Sequence, residues 1–323
     1  MMMRMLNNHT EVHAINEPHF FEKMWSPGDG DRQISEQEAT DLWIRLMVGQ
    51  RDGFFASVSK NGPRYKAEAG HLIGRWQGSL TRMSVYKAFL AHETQLARKR
   101  IPCEKTPQNV FYIPEISKAF PEGRVIHMVR DPRSVMLSQK RKWKRKSLGA
   151  DFMSKREMRR LRINYHPITI SRLWNASIGA GSASGCDDQV MHLRFEDLVN
   201  APEKHMEEVC RFAGISYQEA MLHIPQAGSS SQADQMDQKG IRKDRASSWT
   251  QSGLTPEEIY LCERICRRYM VAQGYDTTTP RPRPLHLLWL YLTFPVKLVL
   301  ALAVNLGRMR SIFDTLKRRW RAK

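Results

Sequence analysis

A short apolar run that passes directly into a helix start constrains the fold more than any other feature. Arg124–Val129 (RVIHMV) is typical of a buried strand, and a Pro-Glu-Gly turn precedes it. After Arg130, Asp131 can cap a helix and Pro132 can occupy the first helical position. A strand followed at once by a helix is typical of parallel sheets that are covered by helices.

The same order recurs later in the chain. Gln189–Leu193 (QVMHL) predicts a second strand, and a helix over Pro202–Ala213 follows it and ends at Gly214. A capping box of sequence TPEE begins a further helix that ends at Gly274. We therefore expect an α/β fold with a parallel sheet between helices. Ligands of such sheets bind outside the carboxyl ends of the strands, which places Arg130 at a binding edge.

The length of 323 residues is ample for a buried core, and the composition divides the chain into three parts. We expect an α/β domain over residues 1–276, a linker over 277–284 (TTTPRPRP), and a hydrophobic and basic tail over 285–323. Five cysteines, an odd number without regular spacing, indicate a reducing compartment rather than a disulfide framework. Cys262 and Cys266 lie one helical turn apart without a histidine partner, so no metal site is expected.

The net charge of +18 is confined to two segments. Residues 140–162 carry eleven basic and two acidic side chains, residues 281–323 carry ten and one, and the remainder is neutral overall. A protein that coats DNA would spread its charge more evenly, and no helix-turn-helix, zinc finger or RNA-binding aromatic motif is visible. Nucleic acid is therefore not an expected partner. Two local patches indicate two local anionic partners, although the first patch could equally be a solvated face.

The tail contains a 22-residue apolar segment, Leu285–Leu306. As a helix it would be about 33 Å long, close to the thickness of a bilayer core. The spacing of its polar residues places them on one face of a helix. These residues are His286, Thr293, Lys297, Asn305 and Arg308. Pro295 and this stripe favour a helix in the membrane interface, with a transmembrane helix and a helix packed on its own domain as alternatives. The basic residues that would strengthen binding to anionic lipid are Arg308, Arg310, Lys317, Arg318, Arg319, Arg321 and Lys323.

Two polar residues near the predicted strand end are suited to binding a phosphate. Ser138 lies two helical turns beyond the cap Asp131, so its hydroxyl and the guanidinium of Arg130 can face the same crevice. A structural alternative is that Arg-Asp-Pro-Arg forms only a helix cap with a surface ion pair. Upstream, Pro107 disfavours a helical conformation at Thr106, and Lys105 is predicted at the rim of another connection.

These residues belong to longer stretches that resemble the sulfotransferases that use 3′-phosphoadenosine-5′-phosphosulfate (PAPS). The resemblance covers about residues 4–276 and is closest to the tyrosylprotein and carbohydrate types. Its most specific part is the combination of Lys105 with Arg130 and Ser138. The stretches that carry it are Met5–Glu17, Glu104–Ser138, Leu193–Ile215, and Trp249 followed by LTPEEI (Leu254–Ile259).

The resemblance implies a role for each matching residue. Arg130 and Ser138 match the pair that binds the 3′-phosphate, and Lys105 matches the lysine that steadies the leaving oxygen. Glu17 matches the general base of the tyrosylprotein branch, with His19 as the alternative base. Basic residues of a late loop are expected to close over the nucleotide. These residues are Arg242, Lys243 and Arg245. The scheme requires PAPS as sulfate donor and no metal.

The family's fold is a P-loop-like parallel sheet flanked by helices, and one part of it has no counterpart here. The Gly-rich phosphosulfate loop, commonly Arg-Ser-Gly-Thr-Thr, is not found in the sequence, and Met1 aligns just after its place. Residues 1–6 (MMMRML) also begin like a helix interior, without a cap. We expect the first strand and the loop to be missing. Either the start codon was assigned too late, or the chain is truly short. A protein starting at Met1 is expected to have little or no transferase activity.

The resemblance predicts transfer of a sulfuryl group from PAPS to a hydroxyl of a carbohydrate, a glycolipid or a protein tyrosine. The 140–162 patch is suited to an anionic acceptor such as a glycan, and residues 285–323 to a membrane surface. The expected location is cytoplasmic and membrane-associated, or the Golgi if an anchor precedes Met1. The alternative is a catalytically inactive, membrane-peripheral relative that binds a nucleotide or a glycan.

Overall fold

Two parallel strand pairs organise the structure, one in each of two units. The computed structural model describes residues 1–53, 56, 58–149, 153–230, 232–251, 253–306 and 317–318. Unit 1 consists of Met1–Pro121 with Gln218–Ile224, and unit 2 of Glu122–Tyr217 with Pro225–Lys323.

In unit 1, strands β1 (Val12–Ile15) and β2 (Ile101–Glu104) are parallel, and Ile15 lies opposite Glu104. Lys99 fixes the backbone that leads into β1, because its ammonium donates to the carbonyl oxygens of Asn7 and Val12 at 2.6 and 2.8 Å. The α-helices of unit 1 are α1 (Met2–Asn7), α2 (Glu36–Met47), α3 (Val58–Asn61), α4 (Lys66–Gly74), α5 (Arg82–Leu96) and α6 (Ile113–Ala119). Its 3-10 helices are Pro27–Asp29, Gly62–Tyr65, Pro107–Tyr112 and Glu219–Leu222, and its π-helices are Phe20–Met24 and Val48–Asp52.

An aromatic cluster forms much of the core of unit 1. The rings of Phe20 and Tyr86 stack with centroids 4.0 Å apart, and Phe21 meets Tyr86 edge to face at 6.0 Å. Phe20 and Phe21 belong to the π-helix that follows β1, so their burial fixes the backbone just beyond Glu17.

In unit 2, strands β3 (Val125–Val129) and β4 (Val190–Arg194) are parallel, with Val129 opposite Arg194. Strands β5 (Pro225–Gln226) and β6 (Gln235–Lys239) form a short antiparallel pair. The α-helices are α7 (Pro132–Arg141), α8 (Lys155–Asn164), α9 (Pro167–Ser182), α10 (Phe195–Asn200), α11 (Pro202–Ala213), α12 (Pro256–Ala272) and α13 (Pro284–Asn305). The 3-10 helices are Lys142–Leu148, Asp187–Gln189, Lys243–Arg245 and Ser248–Gln251.

The predicted strand-to-helix elements of unit 2 are confirmed. Strand β3 ends at Val129, the Asp131 carboxylate accepts from the backbone N–H of Arg133 at 2.8 Å, and α7 begins at Pro132. Strand β4 begins and ends one residue later than predicted. Gly214 follows α11 with φ = +69°, a conformation that glycine adopts without steric cost, so the helix ends where the sequence indicated.

Candidate functional site

The two arginines of the Arg130-Asp131-Pro132-Arg133 turn have different surroundings. Arg133 is buried and its guanidinium donates to Asp131 and to Glu263, both at 2.7 Å. This buried network holds the start of α7 on α12. The sequence left open that Arg-Asp-Pro-Arg forms only a helix cap with a surface ion pair. Arg133 does form an ion pair beside the cap, but this ion pair is buried. Arg130 does not take part in it.

Arg130 has no carboxylate partner in an ion pair among the described residues. Its Nη2 donates to the carbonyl oxygen of Arg245 at 3.0 Å and to the Ser248 hydroxyl at 3.3 Å. Its guanidinium carbon lies 4.3 Å above the centroid of the Phe195 ring. The buried Nε–H has no acceptor within the described part of the chain, and burial lowers the pKa of this guanidinium. A half-buried cation with an unused donor is suited to bind an anion.

Hydroxyl groups extend from Arg130 along one side of α7. Ser248 is 3.4 Å from the hydroxyl of Ser134, and Ser138, one turn further along α7, is 3.2 Å from the hydroxyl of Ser230. Ser138 is partly exposed, whereas Ser134 is buried. Between Arg130, directly after β3, and Ser138, in the second turn of α7, lie the hydroxyl groups of Ser248 and Ser134, which could donate to phosphate oxygens.

Of the three late-loop residues selected from the sequence, Arg245 contacts Arg130, through its backbone carbonyl oxygen. Arg242 donates from its Nε to the Asp244 carboxylate at 3.0 Å, and this bond lowers the pKa of Asp244. Lys243 is exposed. The Arg245 carbonyl, by contrast, accepts from Arg130.

In unit 1, Glu17 and Lys105 come together just beyond the ends of β1 and β2. The Lys105 ammonium and the Glu17 carboxylate form a salt bridge, because the two parallel strands end side by side. Both side chains are partly exposed. His19 lies close to the pair, with its Nε2 3.6 Å from a Glu17 oxygen and its Nδ1 2.9 Å from Glu22. His19 also has a left-handed backbone (φ = +53°), which is uncommon for a residue other than glycine.

A partly buried carboxyl group that sequence reasoning missed lies directly before Lys105. Glu104 ends β2, and it accepts hydrogen bonds from the hydroxyl of Thr106 and the amide of Asn109. Burial raises the pKa of Glu104 to about 7, and the two hydrogen bonds oppose that shift. The register places Glu104 opposite the fully buried Ile15, a relationship that no local sequence pattern shows.

Phe195 and Ser248 were also missed as neighbours of Arg130. Phe195 follows directly after β4, the strand that pairs with β3, so the rule that parallel strands end at one edge could have selected it. Ser248 lies in a loop more than a hundred residues away, and no local pattern marks it.

No group of three or more His, Cys, Asp or Glu side chains able to hold a metal ion occurs in the described residues. Cys262 and Cys266 are both free thiols and both buried.

Comparison with known proteins identifies the family. The family model described as "Sulfotransferase family" matches residues 1–219. A protein of Caenorhabditis briggsae described as "Putative protein-tyrosine sulfotransferase" is 23% identical over 188 residues, which is 56% of this chain and 62% of that protein. Human carbohydrate sulfotransferase 3 is 34% identical over 101 residues, 28% of this chain and 20% of that protein. The chain thus spans less than two thirds of either relative.

Among solved structures, the "Sulfotransferase Domain from the Curacin Biosynthetic Pathway" superposes with a TM-score of 0.50 at 16% identity. The superposition covers 86% of this chain and 93% of that domain. At this identity the likeness concerns the fold alone, and it agrees with the predicted P-loop-like α/β class. Since the family model covers well over half of the sequence, the chain belongs to the sulfotransferase family.

Proposed function

We propose that this protein transfers a sulfuryl group from PAPS to a hydroxyl group of its acceptor, at a low rate in a chain whose sequence does not contain the Gly-rich phosphosulfate loop. The observation that carries the proposal is the environment of Arg130, a half-buried guanidinium at the end of a parallel strand with an unused Nε–H donor and no carboxylate ion-pair partner within the described part of the chain. Burial disfavours its charged form, and the charges of Glu196 and Asp131 offset this only in part, so an anionic ligand would stabilise the guanidinium. Membership of the sulfotransferase family supports a phosphorylated nucleotide as that ligand.

In the proposal, Arg130 and Ser138 bind the 3′-phosphate of the nucleotide. The free Nε–H of Arg130 and the partly exposed hydroxyl of Ser138 are donors that phosphate oxygens can accept from. Arg242 and Lys243, together with Arg245, would add positive charge near the nucleotide. Arg245 has the clearest structural support of the three, because its backbone contacts Arg130.

Glu17 and Lys105 have the proton-transfer and charge-stabilising roles. PAPS supplies the sulfuryl group, so the new bond joins the acceptor oxygen to sulfur and the broken bond leaves the phosphate oxygen with the electron pair. Glu17 accepts the proton of the acceptor hydroxyl, and Lys105 offsets the negative charge on the leaving oxygen. The salt bridge to Lys105 favours the ionised carboxylate that a base requires, and no metal enters the scheme. His19 is the alternative base, since it lies within 3.6 Å of Glu17.

The acceptor class follows from the relatives and from charge. The named relatives are a tyrosine and a carbohydrate sulfotransferase, so a carbohydrate, glycolipid or tyrosine hydroxyl is proposed. Basic side chains of the 140–162 patch are exposed, namely Lys144, Lys155, Arg156, Arg159 and Arg162. They support an anionic acceptor such as a glycan.

We also propose that residues 285–323 place the protein at a membrane surface, with a cytoplasmic, membrane-associated location. Helix α13 supports this, because it is long and apolar enough to cross a membrane, with a mean hydropathy of 2.1 and none of its residues buried. Of the basic tail, Lys317 and Arg318 are described, whereas Arg308, Arg310, Arg319, Arg321 and Lys323 lie outside the described residues. Residues 1–276 would then act as the transferase part and 277–284 as the linker.

The proposed reaction is tested by calorimetric titration with adenosine 3′,5′-bisphosphate and by a radiolabelled sulfate-transfer assay with glycan and tyrosine-peptide acceptors. Arg130→Ala removes charge-assisted hydrogen bonds of about 1.5–3 kcal/mol each, so binding should weaken about tenfold to hundredfold. The matched control is Arg124→Ala, an exposed arginine just before the other end of β3, which should bind as the wild type does. Binding without transfer to any acceptor would favour an inactive nucleotide-binding relative. No binding by the wild type would refute the proposal.

A further inference from the structure

Helix α13 presents a continuous apolar face to the outside of unit 2. Leu285, Leu292 and Val299 are spaced by seven residues, so they lie on one side of the helix, and each is at least 63% exposed. Trp289 and Tyr291 are exposed beside them. Most of the exposed large apolar side chains in the described residues belong to this helix and the residue after it: Leu285, Leu288, Trp289, Tyr291, Leu292, Val296, Leu298, Val299, Leu300, Val304 and Leu306. A patch of this kind on a protein in water marks an interaction surface.

The opposite face of α13 contacts unit 2 along the length of the helix. At its start, the backbone N–H of Arg283 donates to Glu257 at 3.0 Å. In the middle, the Phe294 ring lies 5.4 Å from the ring of His166. At its end, the Asn305 amide donates to Asn164 at 2.8 Å and accepts from Arg160 at 2.8 Å. The helix is therefore held along the surface of unit 2 at three points.

These contacts favour one of two membrane arrangements of α13, a helix in the membrane interface over a helix that crosses the bilayer. A helix that crossed the bilayer in this position would carry polar neighbours into the hydrocarbon, because His166 and Arg172 contact Phe294 in the middle of α13. Helix α8 ends directly before this point and also contacts Asn305 at the end of α13. Helix α8 contains five basic residues in ten, and burying them in hydrocarbon is costly. A helix lying in the plane of the interface keeps α8 among the headgroups and immerses only the apolar face.

Charge selects the partner on this face. Four basic side chains of α8 are exposed, Lys155, Arg156, Arg159 and Arg162, and α8 contacts α13 through Arg160 and Asn164. A second copy of the chain, paired through the same apolar face by two-fold symmetry, would offer the basic side chains of α8 no anionic partner, because α8 contacts the opposite face of α13. Anionic lipid headgroups attract them, and exposed Trp289 and Tyr291 suit the headgroup level.

We infer that unit 2 docks on an anionic lipid leaflet, with α13 parallel to the membrane plane and its Leu285, Leu292 and Val299 face in the boundary between headgroups and acyl chains. The inference rests on the proposed membrane location and specifies it. It is independent of the proposed sulfuryl transfer.

Vesicle sedimentation tests the binding. The wild type should sediment with phosphatidylcholine–phosphatidylglycerol vesicles and at least tenfold less with phosphatidylcholine alone, and salt should weaken the binding. Leu288→Glu with Leu292→Glu should abolish sedimentation. The matched control, Val271→Glu at an exposed apolar position on α12, should not change it. Lys155→Glu with Arg156→Glu should remove the preference for phosphatidylglycerol. Circular dichroism and bisphosphate binding check that each variant is folded.

Depth measurements test the orientation. In a Cys103→Ser, Cys186→Ser background, an environment-sensitive fluorophore is attached at Leu285→Cys, Leu292→Cys or Val299→Cys, and quenched by lipids brominated at different depths. An in-plane helix gives one shallow depth for all three positions, whereas a spanning helix puts position 292 much deeper than 285 and overturns the inference. Failure of the wild type to bind any vesicle would refute the membrane location as well. Self-association through this face without vesicle binding would make a second copy the partner and also overturn it.

Discussion

The guanidinium carbon of Arg130 lies over the ring of Phe195, 4.3 Å from the ring centroid. This cation–π contact requires no hydrogen-bond donor, so the N–H groups of Arg130 can serve other partners. The two residues lie just beyond the ends of neighbouring parallel strands, β3 and β4.

Phe195→Ala should weaken the binding of adenosine 3′,5′-bisphosphate about threefold to tenfold, because a cation–π contact of about 1 kcal/mol also orients Arg130. Calorimetry measures the dissociation constant. The control is Phe212→Ala, since Phe212 lies under Arg124 at the other end of β3 with a centroid distance of 6.0 Å. Equal losses in both variants would show that the effect is a general loss of stability.

Lys105→Ala should reduce the transfer rate about a hundredfold or more, while bisphosphate binding changes less than threefold. The reason is that Lys105 is proposed to act on charge that develops during the reaction, whereas Arg130 acts on the bound nucleotide. Steady-state kinetics with PAPS and calorimetry separate the two effects. Lys118→Ala, at an exposed position on α6, is the control. An unchanged rate would remove Lys105 from the mechanism.

Glu17→Gln and His19→Gln identify the base. Glu17→Gln should lower the transfer rate about a hundredfold and His19→Gln less than tenfold, because only Glu17 forms the salt bridge with Lys105. Rates measured at saturating acceptor compare the two variants. The reverse order of effects would make His19 the base.

Glu104 should make the protein less stable as the pH rises. Its pKa is about 7 in the folded protein, above the ordinary value of a glutamate, so the folded state holds the proton more tightly than the unfolded state. The contribution of Glu104 to stability is then greatest below about pH 4.3 and declines as the pH rises to about 7, by about 1–3 kcal/mol. Urea unfolding at several pH values measures this slope. Glu104→Gln should remove it, and an unchanged slope would contradict the assignment.

His127 should make the protein less stable as the pH falls. Its Nδ1 lies 3.1 Å from the Nδ1 of His192 on the neighbouring strand. Burial, together with the charge of His192, lowers the pKa of His127 to about 4. The unfolded state therefore takes up the proton first, and stability is lost as the pH falls from about 6.5 to about 4. Thermal unfolding should show the loss in the wild type and in the control His71→Gln, but reduced in His127→Gln. A wild-type slope in His127→Gln would contradict this origin.

Local signals predicted the elements that position the candidate residues. The apolar run before Arg130, the Asp131 cap and Pro132 together specify a strand that turns into a helix, because each signal acts within a few residues. The family resemblance then selected Lys105 and Glu17. The same signals could not show that Arg133 takes the buried carboxylates and leaves Arg130 without one, since Glu263 is 130 residues distant along the chain.

The sequence by itself determined that the chain has parallel strands leading into capped helices, a sulfotransferase ancestry, and an apolar C-terminal helix beside concentrated positive charge. These properties depend on residue order and composition. Only the tertiary structure decided which guanidinium takes part in the buried ion-pair network, which carboxyl group is partly buried next to Lys105, and which face of α13 is turned outward. Each of these depends on the distance between side chains that are far apart in the chain, and local sequence patterns do not encode that distance.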